Sequence, residues 1–148
     1  MQRRLFRDLY SEAGVDPSSV SFVELNGTGT PVGDVQETNS VADVFCKDRS
    51  GPLLIGSVKS NMGHSEISSG LSSLAKVIIA MHDHAIPPNL HFSEPNLDIP
   101  GLFDGRLKVI SYNVRSFFLM RQRHSNLLYE LQIVSDYFPE VFLQLLST

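Results

Sequence analysis

Two side chains that can carry a proton or a charge, Lys59 and His64, lie in a short turn between two apolar segments. Residues 53–55 form an apolar run bounded by Gly-Pro and by Gly56, which predicts a buried strand. The carboxyl ends of such strands are where open α/β sheets place ligands and catalytic groups. Lys59 and His64 are therefore candidate site residues. The alternative is that His64 caps a turn and Lys59 reaches solvent.

The segment after His64 has the pattern of a long helix. Ser65 is a suitable N-cap, and Glu66 adds negative charge to the first turn. A helix N-terminus beside His64 would disfavour the imidazolium and leave the ring as a neutral donor or a base. One apolar stripe of this helix is expected to pack against the core: Ile67, Leu71, Leu74, Ala75, Ile78 and Ile79.

A second stretch rich in turn formers, residues 26–34, precedes another helix. Asp34 and Glu37 fit a D-x-x-E capping box, so we expect this helix to begin at Asp34. On residue type alone, the glycines supply backbone freedom, and Thr28 and Thr30 supply local turn hydrogen bonds. Glu37 by itself is better explained as a helix cap than as a catalytic acid.

The order of the elements predicts an α/β protein. Residues 3–13 have helical spacing, and residues 20–25 form a β-rich run. With the strand at 53–55 and the helices that follow the two turns, the order is helix, strand, helix, strand, helix. Such alternation favours parallel strands joined by right-handed crossovers. Residues 107–110 could add a strand, whereas the proline-punctuated stretch 86–96 is expected to be a loop.

Composition limits the classes of function. The chain has 148 residues, about one domain's length, and a net charge of −4, which argues against nucleic acid as a partner. Its single cysteine rules out an internal disulfide framework and fits a reducing compartment, and its five histidines lack metal-ligand spacing. The sequence has neither an apolar run of membrane-spanning length nor a secretory signal, so we expect a cytoplasmic protein without a membrane span.

Two segments resemble the loops of one enzyme family. Residues 24–34 (ELNGTGTPVGD) resemble the E-A-H-G-T-G-T-x-x-G-D loop of β-ketoacyl synthases, and residues 58–64 (VKSNMGH) resemble their K-S-N-x-G-H loop. Either glycine loop alone is a weak signal, but the two joined by a strand and a helix are specific. The similarity covers roughly residues 3–110, and the sequence there most resembles the ketosynthase domain of animal type I fatty acid synthase.

The resemblance implies an α/β, thiolase-like fold, of which this chain is the carboxyl-terminal half with a partial mixed sheet. The implied activity is that of an acyltransferase of fatty acid biosynthesis. It condenses an acyl thioester on a cysteine with malonyl-carrier protein, with loss of CO2. No cofactor is then bound directly, because the substrates ride on the phosphopantetheine of an acyl carrier protein. The implied partners are that carrier protein and the amino-terminal half, and the intact family is homodimeric.

Site residues carry over by position within the two loops. His64 matches the second of the two histidines that donate to the malonyl thioester oxygen, and Asn26 stands where the family has the first. Lys59 matches the accompanying lysine, and Glu37 matches the acid that pairs with it. A further pair, Thr28 and Thr30, matches the threonines that hydrogen-bond the pantetheine arm.

Three departures from the family pattern predict that this chain alone has no condensing activity. Asn26 can donate a hydrogen bond but cannot carry a proton, and loss of one positioned donor costs about a hundred- to a thousandfold in rate. Cys46, the only cysteine, lies late in the second helix without the small-residue elbow of a nucleophile. Residues 112–148 contain no glycine, whereas the family closes this half with an F-G-x-G-G loop.

We therefore divide the chain into a partial ketosynthase, residues 1–111, and an unmatched tail, residues 112–148. The tail has apolar spacings that could form amphipathic helices, at Leu127, Leu128, Leu131, Val134, Phe138, Val141, Phe142, Leu145 and Leu146. These could cover the surface of the missing half or bind a partner, or the tail could be non-homologous sequence joined to a truncated gene.

Two other functions compete with the condensing enzyme. One is a non-catalytic module that packs with a ketosynthase. The other is a nucleotide-binding domain that uses residues 27–33 as a phosphate cradle. The second is poorly supported, because this loop lacks both the GK[ST] ending of a P-loop and the GxGxxG order of a dinucleotide fold.

Overall fold

The computed structural model describes residues 1–115, whose centre is a three-stranded parallel sheet. The strands are β1 (Phe22–Glu24), β2 (Leu53–Gly56) and β4 (Leu107–Val109), in the order β1-β2-β4. The predicted parallel pairing is confirmed, with Val23 opposite Ile55 in one ladder and Ile55 opposite Val109 in the next. All three strands therefore direct their carboxyl ends to the same edge.

Four helices and a small second sheet surround these strands. The helices are α1 (Gln2–Glu12), α2 (Pro31–Phe45), the one-turn α3 (Lys59–Met62) and α4 (Ser69–Asp83). Short 3-10 turns occupy Pro17–Ser19, Glu66–Ser68 and Pro100–Leu102. The second sheet is the antiparallel pair of β3 (Ala85–Ile86) and β5 (Val114–Arg115).

The larger apolar core lies between the sheet and helices α1 and α2. Phe45, which is fully buried, packs in T-shaped geometry with Phe6 and Tyr10 at centroid distances of 5.5 and 5.0 Å. Leu53 and Ile55 of β2 point into this core, and Leu54 points to the opposite face, as the period of a strand requires. The sheet therefore buries both faces.

Helix α4 covers the opposite face of the sheet, but not with the stripe that its sequence predicts. Of the six predicted residues only Leu74 is buried; Ile67, Ile78 and Ile79 are exposed. The buried face consists of Ser69, Gly70, Ser73, Leu74, Lys76, Val77 and Ala80. Small side chains let α4 approach the sheet closely, so the larger apolar residues lie outward.

Both helix starts expected around the two turns were wrong. Helix α2 begins at Pro31, with Thr30 as N-cap, because a proline at the first helical position loses no hydrogen bond and has a suitable φ. Helix α4 begins at Ser69 and not after Ser65, because Glu66 has a φ of 48° and starts a 3-10 turn. The predicted N-terminus of a long α-helix directly beside His64 is therefore absent from the described residues.

The strand β3 was also missed, since residues 86–96 were expected to be loop. Its partner β5 falls within the segment 112–148, whose separation from the rest at residue 111 stays a prediction. The predicted tail helices lie outside the described residues. Within residues 1–115, every helix is too short or too polar to cross a bilayer.

Candidate functional site

The two loops with candidate chemistry open onto one cavity of about 450 Å³ at the carboxyl edge of the sheet. Thr28, Lys59 and His64 all line it. The other side is formed by the segment between β3 and β4, which contributes Asn89, Phe92, Glu94, Asn96, Ile99 and Leu102. The turn after β1 and the turn after β2 therefore meet, as parallel strands with adjacent carboxyl ends require.

The bend after β1 is held by a carboxylate from α2. Glu37 is buried, and its two oxygens accept the backbone N–H groups of Asn26 (2.7 Å) and Gly27 (3.0 Å). Gly27 has a φ of 50°, and a Cβ there would lie 2.8 Å from the Cβ of Ser57. The bend thus needs glycine both for its backbone conformation and for its close approach to the loop after β2.

A second carboxylate holds the next residues of the same bend. Asp34 accepts the N–H of Gly29 at 3.0 and 3.2 Å, and the Oγ atoms of Thr28 and Thr30 lie 3.2 Å apart. The capping-box interpretation of Asp34 and Glu37 was therefore wrong. Because α2 begins at Pro31, both carboxylates reach back and bind amides of the bend before the helix.

Lys59 connects the two loops. Its Nζ donates to Oδ1 of Asn26 at 2.9 Å. Because an ammonium can only donate, this bond assigns the amide oxygen of Asn26 to Lys59 and leaves its Nδ2–H2 group free to donate elsewhere. Partial burial lowers the pKa of Lys59, while the negative charges of Glu37 and Glu24 oppose that shift.

Glu37 and Lys59 were expected to pair directly. Instead, both bind Asn26, Glu37 at its backbone N–H and Lys59 at its side-chain oxygen. Both oxygens of Glu37 bind backbone amides, and its charge acts on Lys59 without a direct ion pair among the described residues. Burial raises the pKa of Glu37, and the two amide donors work in the opposite direction. The acid, the amide and the lysine thus form a chain from α2 to α3.

His64 follows Gly63, which ends α3 with a φ of 80°. Its Nδ1 accepts the backbone N–H of Glu66 at 2.9 Å. An imidazole that accepts at Nδ1 carries its remaining proton on Nε2 when it is neutral. The histidine is therefore oriented by the backbone as an Nε2–H donor at the wall of the cavity.

Several residues of the site were missed as functional candidates. Asn89 accepts from Ser57 N (3.0 Å) and Ser60 Oγ (3.2 Å), and so joins the loop after β2 to the segment after β3. Glu24 and Lys76 form a buried ion pair beneath the same loop. The only signals in the sequence were a charge that interrupts a strand and a lysine inside an apolar helix.

Cys46 does not line this cavity. It is the C-cap of α2, it is buried, and its Sγ donates to the carbonyl of Arg106 at 3.4 Å. Burial raises the pKa of the thiol, which keeps it protonated and a poor nucleophile. Within residues 1–115, His, Cys, Asp and Glu side chains do not gather in a group that could hold a metal ion.

Comparison with known proteins gives a family match over most of the described chain. A family model for the β-ketoacyl synthase C-terminal domain matches residues 1–93. A highly reducing polyketide synthase of Aspergillus terreus is 49% identical over 108 residues, which are 73% of this chain and 4% of that protein. A fatty acid synthase of Anser anser anser is 54% identical over 81 residues, 55% of this chain and 23% of that protein.

Solved structures give the same result. The ketosynthase from module 6 of the bacillaene synthase of Bacillus subtilis 168 is 35% identical, with a TM-score of 0.71. The match covers 76% of this chain and 20% of that one. The predicted α/β, thiolase-like fold class is confirmed by this likeness. This chain spans only a small part of the length of the relatives that it matches.

Proposed function

Because the chain belongs to the family of β-ketoacyl synthase C-terminal domains, we propose that its cavity is the thioester-activating side of a decarboxylative condensing site. The observation that carries the proposal is the meeting of Thr28, Lys59 and His64 around one cavity, with Nε2–H of His64 free to donate. Thr28 comes from the loop after β1, whereas Lys59 and His64 come from the loop after β2, and the bond of Lys59 to Asn26 joins the two loops.

In the proposed reaction, the thioester carbonyl of malonyl-carrier protein binds against these donors. When the carboxylate leaves as CO2, the electron pair of the broken bond moves into an enolate, and negative charge appears on the thioester oxygen. Nε2–H of His64, which lines the cavity, stabilises that charge. Nδ2–H of Asn26, a residue that binds Lys59 through Oδ1 but does not itself line the cavity, is the proposed second donor. The enolate carbon then attacks an acyl thioester, forming the C–C bond and releasing the acyl group's sulfur as thiolate.

Thr28 and Thr30 are proposed to bind the pantetheine arm that delivers the malonyl group. If the two hydroxyls bond to each other across their 3.2 Å separation, one O–H is used and the other stays free to donate. An amide carbonyl of the arm is a suitable acceptor. The carrier protein that bears this arm is then the substrate partner.

The acyl-carrying nucleophile is proposed to come from an amino-terminal ketosynthase half outside this chain. Cys46 is the only cysteine of the 148 residues, and its buried, protonated thiol is unsuited to the task. We therefore expect these 148 residues alone to form no ketoacyl product from acyl- and malonyl-carrier protein. The family's homodimer is the proposed assembly of the whole enzyme.

Fatty-acid elongation and polyketide extension use this same condensation. The 54% identity to a fatty acid synthase supports the first, and the highly reducing polyketide synthases at 49% and 54% identity support the second. We propose fatty-acid elongation as the role. Polyketide extension is the second candidate.

The test is a chimera in which residues 1–93 replace the matching segment of the ketosynthase of the Anser anser anser fatty acid synthase. We expect measurable ketoacyl formation from acyl- and malonyl-carrier protein. Asn26→His should raise the rate about a hundredfold or more, because it restores a donor that can become cationic. His64→Ala should lower it by a similar factor, because it removes the remaining imidazole.

Equal rates in the Asn26→His and His64→Ala chimeras would contradict the proposed roles. A parallel chimera is made in the ketosynthase of the Aspergillus terreus polyketide synthase. The host in which residues 1–93 retain more activity indicates which of the two pathways this chain serves. A chain that binds the amino-terminal half but gives no product even as Asn26→His would be the non-catalytic module.

A further inference from the structure

A buried ion pair lies directly beneath the loop that carries Lys59. Glu24 ends β1 and Lys76 lies in the middle of α4, with Nζ and Oε2 2.8 Å apart and both side chains only 5% exposed. Nζ also lies 5.6 Å from the ring centroid of Phe22. Burying two charges is costly, and apolar residues of similar volume often replace such a pair without loss of stability. Stability alone is therefore a weak explanation for it.

The second oxygen of Glu24 contacts the loop itself. Oε1 accepts the backbone N–H of Val58. Val58 is the N-cap of α3, where helix N–H groups lack partners within the helix. Lys76 thus holds one oxygen of the carboxylate while the other fixes the start of α3.

The position of Val58 affects the site through helix α3. Lys59 is the first residue of this helix, and its Nζ binds Oδ1 of Asn26. Gly63 and His64 follow directly, and the N–H of Gly63 donates to the carbonyl of Lys59. A shift of Val58 would therefore move the backbone that carries Lys59 and His64 into the cavity.

We propose that Glu24 is a positioning residue for this loop: its side chain, paired with Lys76 in the native structure, anchors Val58 through the backbone N–H. The positioning is independent of the chemistry. It rests on the proposed function only for the statement that Lys59 and His64 take part in condensation. The feature that an apolar pair could not reproduce is the acceptor for Val58 N–H.

The test compares two double variants of the full 148-residue chain, both without the ion pair. In Glu24→Gln with Lys76→Met, the amide oxygen can still accept from Val58. In Glu24→Leu with Lys76→Met, no acceptor is left. Amide hydrogen exchange is measured at Ser60, Asn61, Met62 and Gly63, whose N–H groups bond within the loop, and at Leu53, which reports on the sheet.

We expect loop exchange about tenfold faster in the leucine variant than in the glutamine variant, as one lost hydrogen bond implies, with equal exchange at Leu53. A structural role alone would change Leu53 and the loop together. Equal loop exchange in the two double variants would overturn the proposal.

Val58→Pro removes the donor and leaves the ion pair in place. The φ of −58° at Val58 already suits proline. The same tenfold increase is expected at Ser60 to Gly63. If the leucine variant does not fold, which Leu53 exchange reveals, this variant decides, and wild-type exchange in Val58→Pro would overturn the proposal.

The chimera supplies the functional readout. There, the leucine variant should lower kcat relative to the glutamine variant with little change in KM for malonyl-carrier protein, since the arm-binding threonines lie in the other loop. If the parent chimera has no activity, the proposed function fails, while the exchange experiment still decides whether Glu24 positions the loop.

Discussion

Asn26 stands where the resemblance predicts the first histidine of the family, and its neighbours limit what this residue can do. Lys59 takes the amide oxygen, and Glu37 takes the backbone N–H. The Nδ2–H2 group is thereby the part of Asn26 left to act on a ligand. A neutral amide stabilises an oxyanion less than an imidazole that can become cationic, so the expected loss is in rate and not in binding.

The buried ion pair of Glu24 and Lys76 predicts how the free energy of unfolding depends on pH. Burial raises the pKa of Glu24 above its usual value of about 4.3, although Lys76, Lys59 and the Val58 N–H oppose the shift. Between the unfolded and folded pKa the native state binds more protons, so the free energy of unfolding falls as pH rises through that window. Because Lys76 lowers the pKa of Glu24, Lys76→Met should raise this pKa further and enlarge the fall in the free energy of unfolding.

Urea unfolding at pH 4.5 and pH 8 measures this. We expect Lys76→Met to lie close to the wild type at the lower pH and about 3 kcal/mol below it at pH 8, as for a broken buried pair. Glu24→Gln with Lys76→Met lacks the carboxylate, so its free energy of unfolding should lose the fall with pH that Glu24 contributes in the wild type. A gap between Lys76→Met and the wild type that does not change with pH would contradict the opposing effect of Lys76 on the pKa of Glu24.

Residue types and spacing were enough to find Lys59 and His64, because short motifs keep glycines and polar residues adjacent in sequence. They were not enough for Glu24 and Lys76, which lie on separate elements. Lys76 has apolar neighbours in sequence, and only the close packing of α4 on β1 shows that its charge has a partner. Pairing between distant elements leaves no local pattern.

At the scale of elements, helix α2 acts on the bend that precedes it. Asp34 and Glu37 have the spacing of a capping box, but the helix already begins at Pro31, so both residues lie inside it. Their side chains reach back past the start of the helix. Their oxygens then bind the amides of Asn26, Gly27 and Gly29. The sequence predicted carboxylates near unpaired N–H groups correctly and assigned those groups to the wrong segment.

Two glycines of this bend form a matched pair for a second prediction. Both have positive φ, 50° at Gly27 and 79° at Gly29, so alanine costs about 1 kcal/mol at either position through backbone strain. An added Cβ meets nothing within 4 Å at Gly29, whereas at Gly27 it lies 2.8 Å from Ser57 Cβ. Gly27→Ala should therefore lower the free energy of unfolding by about 1–3 kcal/mol more than Gly29→Ala.

Urea unfolding of the two variants measures the difference directly. Gly27→Ala should also speed exchange at the Ser60 amide, because Ser57 must move. Equal stabilities would mean that the two loops separate at little cost, which would contradict the fixed contact between them.

The order of strands and helices was predictable because period and turn residues are local. The buried face of α4 was not, since a stripe of large apolar residues has the same spacing whether it faces this sheet or another body. Here Ile67, Leu71, Ile78 and Ile79 lie outward, and the small residues lie inward. Periodicity finds a helix but does not say which of two partners its apolar stripe meets.

At the scale of the molecule, this outward stripe belongs to a chain that covers 20% of a whole ketosynthase. Ile78 and Ile79 are 46% and 59% exposed, and Ile67 is 86% exposed. Large contiguous apolar patches on a folded surface mark interaction sites. We propose the amino-terminal half, already proposed to supply the nucleophile, as the partner of this face.

The last prediction tests that partner. Ile78→Lys with Ile79→Lys should leave the free energy of unfolding within about 0.5 kcal/mol of the wild type, because both side chains are exposed. It should weaken capture by an amino-terminal half of the Anser anser anser ketosynthase at least about tenfold, because an apolar contact becomes a buried, unpaired charge. Leu5→Lys, at a 41% exposed position on α1, is the matched control and should bind as the wild type does. If the α4 variant binds as tightly as the control, this face does not carry the association, and the two halves must meet elsewhere.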